Sequence, residues 1–529
     1  MLKSIYFFLF IFYFSVLFSQ SENKNFQFNY YSIFGFRDTV SEFYSSLPDS
    51  SLTSLNYLSA GKKFQIFTLK HFNLNKHLPF QFVYKRFYSN GYFRNSSFRN
   101  GRFDVKADNK WHFFFLKYSG KYLNSYRNEF GGIQNDSLLL APAYEPLQVP
   151  VNLTNARNFY KFRLTNADFG FTFNDTSSIL IGSTVYWLRT KRFYSDENSN
   201  GFYANNYFND ITSADSLFFD SLATALYVGY KFKQSVFRLS FGNIYNHYIA
   251  DSIYYQNNGQ FVASDIKFKF SQTIQLNFYV SYVLTGYFSN AQYCEISLLK
   301  SLKKSFFRVA YSYNNSIPSF LSTFLASNHF IYNYDFSNIL QNSIDFTFSM
   351  NKKLSVAYKF SNILHGIYFD YYSLPKQYLG NAFIHKLNVA YNDSLKRFVY
   401  GAKINIANTS DKYIYPVSPF SGNTFLFYTH KLFKGKLFSK FGFRVSYFTP
   451  YYAPMYMPAL HRFYAQNDIE IGGYPLVDFE WHFTLKRFNL MLRVNNLLDR
   501  FDGDVWYVMP QYPLWKRNFQ IGMKWDLYN

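Results

Sequence analysis

The chain has 529 residues, carries 54 Lys and Arg against 32 Asp and Glu, and contains one cysteine, Cys294. Phe, Tyr and Trp make up 24% of the residues, which argues against a disordered chain because disordered segments are poor in aromatics. One thiol excludes a disulfide-stabilised scaffold. Beyond the N-terminus no run of about 20 mainly apolar residues occurs, so we do not expect a helical membrane protein.

Residues 1–20 have the features of an export signal. Lys3 gives a basic start, an apolar run extends from Ile5 to Phe18, and Ser19 places a small residue near the expected cleavage point. The apolar run is shorter than a membrane-spanning helix requires. We therefore predict a signal peptide over residues 1–20 that is cleaved on export.

Residues 21–60 are rich in Ser and less regular than the rest of the chain. We expect them to form a periplasmic lead-in, a small plug or the strand that closes the fold. No domain boundary and no short repeat is visible after them, so residues 61–529 are predicted to form one domain.

The dominant signal from residue 61 to the C-terminus is strict alternation of apolar and polar residues. The last predicted strand has one apolar and one polar face: Phe519, Ile521, Met523, Trp525 and Leu527 against Gln520, Gly522, Lys524 and Asp526. Successive side chains of a strand point to opposite faces, so this pattern predicts strands with one apolar face. The segments run about 10–12 residues, the length that crosses a bilayer at a tilt, whereas strands in soluble proteins average about 5–6.

The connections between the predicted strands alternate between short and long. Short polar turns are predicted near residues 74–78, 107–110, 174–177, 233–235, 271–273, 301–304, 351–353, 393–396, 433–437 and 486–487. Longer segments are predicted near residues 124–158, 191–222, 247–260, 315–338, 364–382, 408–421, 449–474 and 498–516. Short turns on one rim and long loops on the other are typical of outer-membrane barrels. We predict an all-β fold, a transmembrane antiparallel β-barrel of about 16–22 strands with an even strand number.

If the apolar faces meet lipid, the polar faces meet the lumen. The inward residues on the three clearest C-terminal strands are then the candidate pore-lining residues Asp478, Glu480, His482, Arg493, Asn495, Lys524 and Asp526. Charges of both signs inside a water-filled pore set a local field and an ion preference. The alternative is solvated lumen packing with no selective role.

Catalytic, cofactor-binding and metal-binding motifs are not found in the sequence. The ten histidines are scattered, without His-Glu-x-x-His or cysteine-pair spacing, and no nucleotide loop or nucleophile elbow occurs. We interpret Gly131-Gly132 and Gly472-Gly473 as turn or bulge glycines. We therefore expect no enzyme and no cofactor.

The formal net charge of +22 allows three interpretations. Basic loops would bind anionic lipids of the outer membrane, lipopolysaccharide included, or would favour anionic solutes. A coding bias toward Phe, Tyr, Asn, Lys and Ile would raise the charge and the aromatic content together. A nucleic-acid partner is not expected of an exported barrel.

Three segments carry a family resemblance. Residues 449–489 contain Tyr-Met-Pro-Ala, Phe-Tyr-Ala-Gln and Ile-Gly-Gly-Tyr-Pro-Leu-Val-Asp, residues 131–136 read Gly-Gly-Ile-Gln-Asn-Asp, and residues 513–519 read Pro-Leu-Trp-Lys-Arg-Asn-Phe. Through these patterns the chain resembles the Bacteroidota-type putative porin family. Gly473 departs from the polar Asn expected at its position. The resemblance implies an outer-membrane channel without catalytic residues and names no substrate.

The C-terminal strands also resemble those of TonB-dependent receptors, through Asn-Asn-Leu-Leu-Asp, Arg-Asn-Phe and Lys-Trp-Asp within residues 495–526. That family has a plug domain of well over a hundred residues before its barrel. About 40 residues lie here between the predicted cleavage point and the first clear strand, which favours a passive barrel over active uptake.

We expect an outer-membrane porin, a passive diffusion channel for small hydrophilic solutes. Two alternatives stay open: a substrate-specific or TonB-dependent-receptor-like transport barrel, and a non-conducting structural or secretion-associated barrel whose loops bind a partner. The expected partners are outer-membrane lipid, lipopolysaccharide and the solutes, with a homo-oligomer left open.

Overall fold

The computed structural model describes residues 52–60, 64–73, 79–140, 145–172, 177–197, 201–351, 353–499 and 504–528. The predicted signal peptide and most of the predicted lead-in lie outside the described residues. Twenty-two antiparallel strands form one closed sheet. The predicted all-β barrel is therefore confirmed, with a strand number at the upper end of the expected range.

The strands follow one another around the barrel in chain order. They are β1 (Leu52–Ser59), β2 (Gln65–Asn73), β3 (Phe80–Ser89), β4 (Phe98–Trp111), β5 (Phe114–Glu129), β6 (Ala156–Thr172), β7 (Ser177–Glu197), β8 (Thr212–Phe232), β9 (Ser235–Ala250), β10 (Ile253–Lys269), β11 (Ile274–Val283), β12 (Gln292–Ser301), β13 (Ser305–Ser316), β14 (Ile339–Met350), β15 (Leu354–Leu364), β16 (Asn381–Leu395), β17 (Phe398–Thr409), β18 (Phe420–Leu432), β19 (Leu437–Phe448), β20 (Leu476–Leu485), β21 (Phe488–Asn495) and β22 (Asn518–Tyr528). The described helical segments are Ser137–Leu140, Pro146–Gln148 and Phe320–Thr323. Among the described residues, no helix has the length and apolarity needed to cross a bilayer.

The barrel closes between its first and last strands. β1 pairs with β22 in antiparallel register, from Leu52 opposite Tyr528 to Ser59 opposite Ile521. The other edge of β1 pairs with β2. Residues 52–59, at the end of the predicted lead-in, therefore form the closing strand. The described barrel has no strand with an unpaired edge, as a bilayer requires.

The connections are short on one rim and mostly longer on the other, as predicted. Each even-numbered strand from β2 to β20 is joined to the next by at most six residues. The longest connections on the other rim are 130–155, 198–211, 317–338, 365–380, 449–475 and 496–517. The start of β1 and the end of β22 both lie on the short-turn rim.

Two predicted connections are wrong. Residues 107–110, predicted as a turn, lie inside β4, and the turn is at residues 112–113. Residues 247–260, predicted as a long loop, belong to β9 and β10, which are joined by a turn at residues 251–252. This segment is largely polar and rich in Tyr and Asn, so its composition resembles that of a loop. Its backbone nevertheless pairs in continuous antiparallel register across the two strands.

The two faces of the sheet are sorted as the alternation predicts. On β22 the apolar side chains Phe519 and Trp525 are 52% and 53% exposed, whereas Gln520 on the other face is 1% exposed. On β8 Leu226 is 72% exposed and the adjacent Tyr227 is 2% exposed. An apolar exterior around a polar interior is the arrangement of a barrel whose outer surface meets hydrocarbon.

One side of the barrel projects beyond the membrane on the long-loop rim. β7 and β8 have 21 residues each, about twice the length that a tilted strand needs to cross a bilayer. Their pairing continues to Glu197 opposite Thr212. This projecting wall supports the loops that enter the barrel.

Replacing Leu226 by Arg places a charge in the middle of the apolar exterior. We expect Leu226→Arg to lower the free energy of unfolding by about 2–4 kcal/mol, because an arginine at the bilayer midplane loses its hydration. The control is Tyr254, 63% exposed on the projecting part of β10, where Tyr254→Arg should cost about 0–1 kcal/mol. Urea unfolding in lipid vesicles measures both variants, and equal losses would contradict the assigned membrane position.

Candidate functional site in the barrel lumen

All seven candidate pore-lining residues point to the interior of the barrel. Asp478, Glu480 and His482 lie on β20, Arg493 and Asn495 on β21, and Lys524 and Asp526 on β22. The register places Glu480 opposite Arg493, and Arg493 opposite Gln520. The three strands therefore present one continuous polar surface to the interior.

Glu480 lies at the centre of this surface. Its Oε1 atom accepts hydrogen bonds from Arg493 Nη2 at 2.7 Å and from Arg444 Nε at 3.0 Å. Its Oε2 atom accepts one from His482 Nε2 at 3.0 Å. The side chains of Glu480 and Arg493 are each 1% exposed and that of Arg444 is 5% exposed. The cluster is therefore a buried network in which the charges compensate one another.

Arg444 is the member of this cluster that the sequence analysis missed. It lies on β19, directly opposite Asp478. The sequence does indicate an inward position for Arg444, because residues 437–448 alternate in the same way as β20 does, with Lys440 and Arg444 on the polar face. The strand register, which brings Arg444 beside Glu480, was the missing information.

The other candidates are held locally. Asp478 accepts a hydrogen bond from the backbone N–H of Asn496 at 3.1 Å, which connects β20 to the start of the loop 496–517. Lys524 and Asp526 form an ion pair at 2.7 Å on the same face of β22. The role of the seven residues in lining a solute path stays a prediction, since their polar atoms mainly contact one another and the wall.

Lysines on another part of the wall are less buried than Glu480 and Arg493. Lys359 on β15 lies opposite Lys386 on β16. The strand register places both side chains on the lumen face of the sheet. Lys403 on β17 also faces the lumen and is exposed. The other cross-strand neighbour of Lys359 is Asp345. The wall formed by β15–β17, here called the first basic wall, is therefore basic and partly exposed.

The second basic wall lies on β3–β5. Lys85 on β3 is opposite Arg102 on β4. Lys121 on β5 is opposite Asp104, which also pairs with Arg102 at 2.7 Å. β4 and β15 are eleven strands apart in a sheet of 22, so the two basic walls face each other across the bore. Neither wall was a candidate from sequence, because their juxtaposition depends on closure of the sheet.

The loop 449–475 folds into the barrel and reaches the wall formed by β6 and β7. Asn158 donates from Nδ2 to a backbone oxygen of the loop at 3.2 Å. Arg192 donates from Nη2 to the oxygen of Ala459 at 2.6 Å and from Nη1 to that of Leu460. Ala459 and Leu460 are at most 1% exposed, so the tip of the loop is packed in the interior.

His461 follows this tip and meets the ring of Tyr456 edge-on, with the centroids 5.9 Å apart. Burial, and after it the positive charges of Arg127, Arg192 and Arg462, lower the pKa of His461 well below its usual range. The ring is therefore neutral at neutral pH. A neutral imidazole adds no further positive charge to a region where the three arginines already repel one.

The long loops build a hydrophobic core inside the barrel at the long-loop rim. Phe320 stacks on Tyr287 at a centroid distance of 4.4 Å and on Tyr248 of the wall at 5.3 Å. The same buried cluster includes Leu153, Phe288, Phe369 and Ala459, which come from four other connections. Packed side chains therefore cover part of this end of the bore.

One contact between loop and wall has the residue types of a hydrolase triad without its geometry. Ser213 Oγ and Asp196 Oδ2 both contact His329 Nε2, at 2.7 and 3.0 Å, while His329 Nδ1 faces the backbone oxygen of Asn205. A triad has the nucleophile and the carboxylate on opposite ring nitrogens. This cluster therefore holds the loops in place. Among the described residues, no group of three or more His, Cys, Asp and Glu is placed to hold a metal ion.

Glu480→Gln leaves Arg493 and Arg444 buried without their shared carboxylate. We expect a loss of about 3–5 kcal/mol in the free energy of unfolding, because unpaired buried charges keep their desolvation cost. The control is Asp526→Asn, which breaks a pair with more solvent contact and should cost about 1 kcal/mol. Urea unfolding measures both variants. A loss from Glu480→Gln no larger than that of the control would show that the cluster does not stabilise the wall.

Arg192→Gln removes the hydrogen bonds that anchor the tip of the loop 449–475. Hydrogen bonds to charged groups contribute about 1.5–3 kcal/mol, so amide hydrogen exchange around Ala459 should quicken by about 10- to 100-fold. Lys191→Gln changes the adjacent, outward-facing side chain and should leave this rate as it is. An unchanged rate in Arg192→Gln would contradict an anchored loop.

The fold is similar to those of several solved transport proteins and receptors. The FrpB iron transporter from Neisseria meningitidis (F5-1 variant) has a TM-score of 0.61 at 10% identity, over 92% of this chain and 84% of that one. The copper transporter OprC has a TM-score of 0.62 at 10% identity, over 91% and 81%. BauA, the ferric preacinetobactin receptor from Acinetobacter baumannii, has a TM-score of 0.54 at 10% identity, over 91% and 80%. Identities this low show a shared fold alone.

No curated protein sequence matches the chain. The sequence model of the family described as "Putative porin" matches residues 11–529, which is nearly the whole chain. The match includes all three segments that carried the family resemblance. The chain therefore belongs to this porin family, with a barrel of the outer-membrane type.

Proposed function

We propose that the protein is a passive diffusion channel for small hydrophilic solutes in the outer membrane, with a preference for anions. The observation that carries the proposal is the pair of basic walls facing each other across the bore. Lys403 on the first wall is exposed, and Arg102 on the second is 37% exposed. Both walls therefore have contact with water from inside the barrel.

The width of the barrel supports an open path. A sheet of 22 strands encloses more space than its own side chains fill. The loops narrow the path at the long-loop end. Facing rows of cations raise the local concentration of small anions and lower that of cations, which is how charged linings select ions.

We also propose that the chain is exported and that it catalyses no reaction. A signal peptide over residues 1–20 directs the chain across the inner membrane and is then cleaved. Outer-membrane lipid and lipopolysaccharide surround the inserted barrel. Solutes pass unchanged, so we propose neither enzymatic activity nor a cofactor.

Gated or energy-coupled transport is the second candidate, and the packed loops favour it. The core around Phe320 and Tyr248 covers space that a wide open pore would leave clear. Outer-membrane transporters with 22 strands have a plugged lumen, and FrpB and OprC are described as transporters. A non-conducting barrel whose loops bind a partner would have the same core.

Purified protein in a planar bilayer separates these functions. A passive channel should give steps of steady conductance, and the reversal potential in a KCl gradient should indicate preference for chloride. Lys359→Gln, Lys386→Gln and Lys403→Gln combined should lower the chloride-to-potassium permeability ratio by about twofold or more, because the field of the first basic wall is removed.

The matched control is the combination Lys303→Gln, Lys304→Gln and Lys396→Gln, which removes the same charge at short turns and should leave the ratio nearly unchanged. A cation-selective wild type would contradict the anion preference. A silent membrane would contradict passive diffusion and favour the gated or non-conducting barrel. Flux that saturates and is blocked by one solute would favour a substrate-specific transporter.

A further inference from the structure

The outer face of β6 and β7 carries cations that have no part in the lumen. Lys161 lies directly opposite Lys191, and Arg163 directly opposite Arg189, in the antiparallel register of the two strands. We call these four residues the outer basic patch. Like charges placed opposite one another on a sheet destabilise the pairing. The arrangement therefore costs stability unless an anion lies between the cations.

The side chains of the patch point away from the lumen. Arg192, next to Lys191, and Leu164, next to Arg163, are each 6% exposed in the interior. The alternation along a strand then places the patch on the outside. Two of its members are exposed and two are half-buried.

One carboxylate reaches the patch. Asp220 on β8 accepts hydrogen bonds from Arg189 Nη2 at 2.5 Å and from Arg189 Nε at 3.2 Å. Within the described part of the chain, Lys161, Arg163 and Lys191 form no ion pair. The patch is therefore strongly positive even with its one acidic partner.

The patch lies at one edge of the apolar exterior. From Leu222 to Phe232 the outward side chains of β8 are mainly apolar, and Leu226 is 72% exposed. A tilted strand of this length rises about 25 Å, the height of the lipid-facing band of such barrels. Asp220 is the next outward position and lies directly opposite Arg189. The patch therefore begins where the hydrocarbon ends.

Aromatic rings mark the same level. Trp187 donates from Nε1 to Asp220 at 2.6 Å, and the guanidinium of Arg189 lies 4.7 Å from the centroid of the Trp187 ring. The ammonium of Lys191 lies 5.0 Å from the centroid of the Phe218 ring. Tryptophan is typical of the boundary between membrane and water, and so are Lys and Arg side chains whose apolar stems lie against apolar groups while their charged ends reach water.

We propose that the outer basic patch binds the phosphorylated headgroup of a lipid in the outer leaflet, of the lipopolysaccharide type. The long loops of outer-membrane barrels are external, so the patch is at the level of that leaflet. A phosphate between two opposed cations accepts hydrogen bonds from both and replaces their repulsion by attraction. Lys161 and Lys191 form such a position, and Arg163 adds a third cation about 7 Å farther along the strands, beside Arg189, which is already paired with Asp220. The acyl chains of the lipid then lie against the apolar band directly below.

The lipid site is independent of the proposed channel. It lies on the outer surface of β6 and β7, whereas the basic walls face the bore on β3–β5 and β15–β17. Conductance and lipid binding can therefore succeed or fail separately.

The test combines Lys161→Gln, Arg163→Gln and Lys191→Gln, which removes the three cations of the patch that pair with no carboxylate among the described residues. The probe is bisphosphorylated lipid A added to the purified full-length protein in neutral detergent, with native mass spectrometry and thermal unfolding as readouts. The variant should bind lipid A on the order of 100-fold more weakly, since each cation near a lipid surface contributes about fivefold. Without lipid it should be at least as stable as the wild type, because the like-charge pairs have been removed.

The control combination Lys434→Gln, Lys436→Gln and Lys486→Gln removes the same charge at the short-turn rim and should keep lipid A binding. Lipid A without its phosphates should bind weakly to the wild type. The proposal is overturned by equal lipid A binding in the wild type and the patch variant, by an equal loss in the control, or by equal binding of the dephosphorylated lipid. Stabilisation by inorganic phosphate alone at the same phosphate concentration would overturn the lipid as the occupant.

Two single variants keep the test decisive if the combined variant fails to fold. Lys191→Gln alone should weaken lipid A binding by about fivefold. Arg163→Lys keeps the charge and should retain most of the binding. Wild-type affinity in Lys191→Gln, or a loss in Arg163→Lys as large as in Lys191→Gln, would contradict binding through the summed charge of the patch.

Discussion

Backbone hydrogen bonding in a medium without water is the constraint on which this structure depends. A strand in hydrocarbon finds a partner only in another strand, so the sheet has to close. Closure rests here on residues 52–59, whose pairing with β22 joins the two ends of the barrel sequence. The sorting of side chains follows from closure, since one face of every strand then meets lipid and the other meets the interior.

Closure brings charged side chains together in the interior. Their charges are compensated to different degrees in different parts of the wall. Near β20 compensation is local, because Glu480 is shared by Arg493, Arg444 and His482. On the first basic wall a lysine lies opposite a lysine, and the neighbouring Lys403 is exposed. The first arrangement compensates charges that are buried in the wall. The second keeps a field in the bore that can act on a solute.

The loops join distant parts of the barrel wall and fill part of the bore. The loop 449–475 is held by Arg192 on a distant part of the wall, and the core around Phe320 joins several connections at the long-loop rim. The chain belongs to a porin family, and its fold alone is shared with solved proteins that are described as transporters. A passive channel and a gated barrel differ in whether water forms a continuous path past the loops at rest or only after the loops move.

Side-chain direction along a strand is a local property, so the alternation by itself determined the barrel class, the apolar exterior and the inward face of Glu480 and Arg493. It failed at residues 247–260, because strands above the membrane need no apolar face and their composition is that of a loop. The tertiary structure alone decided that Arg444 joins Glu480, that the two basic walls face each other and that Lys161 lies opposite Lys191. These contacts depend on strand register and on closure of the sheet. The alternation of apolar and polar residues carries no information about either.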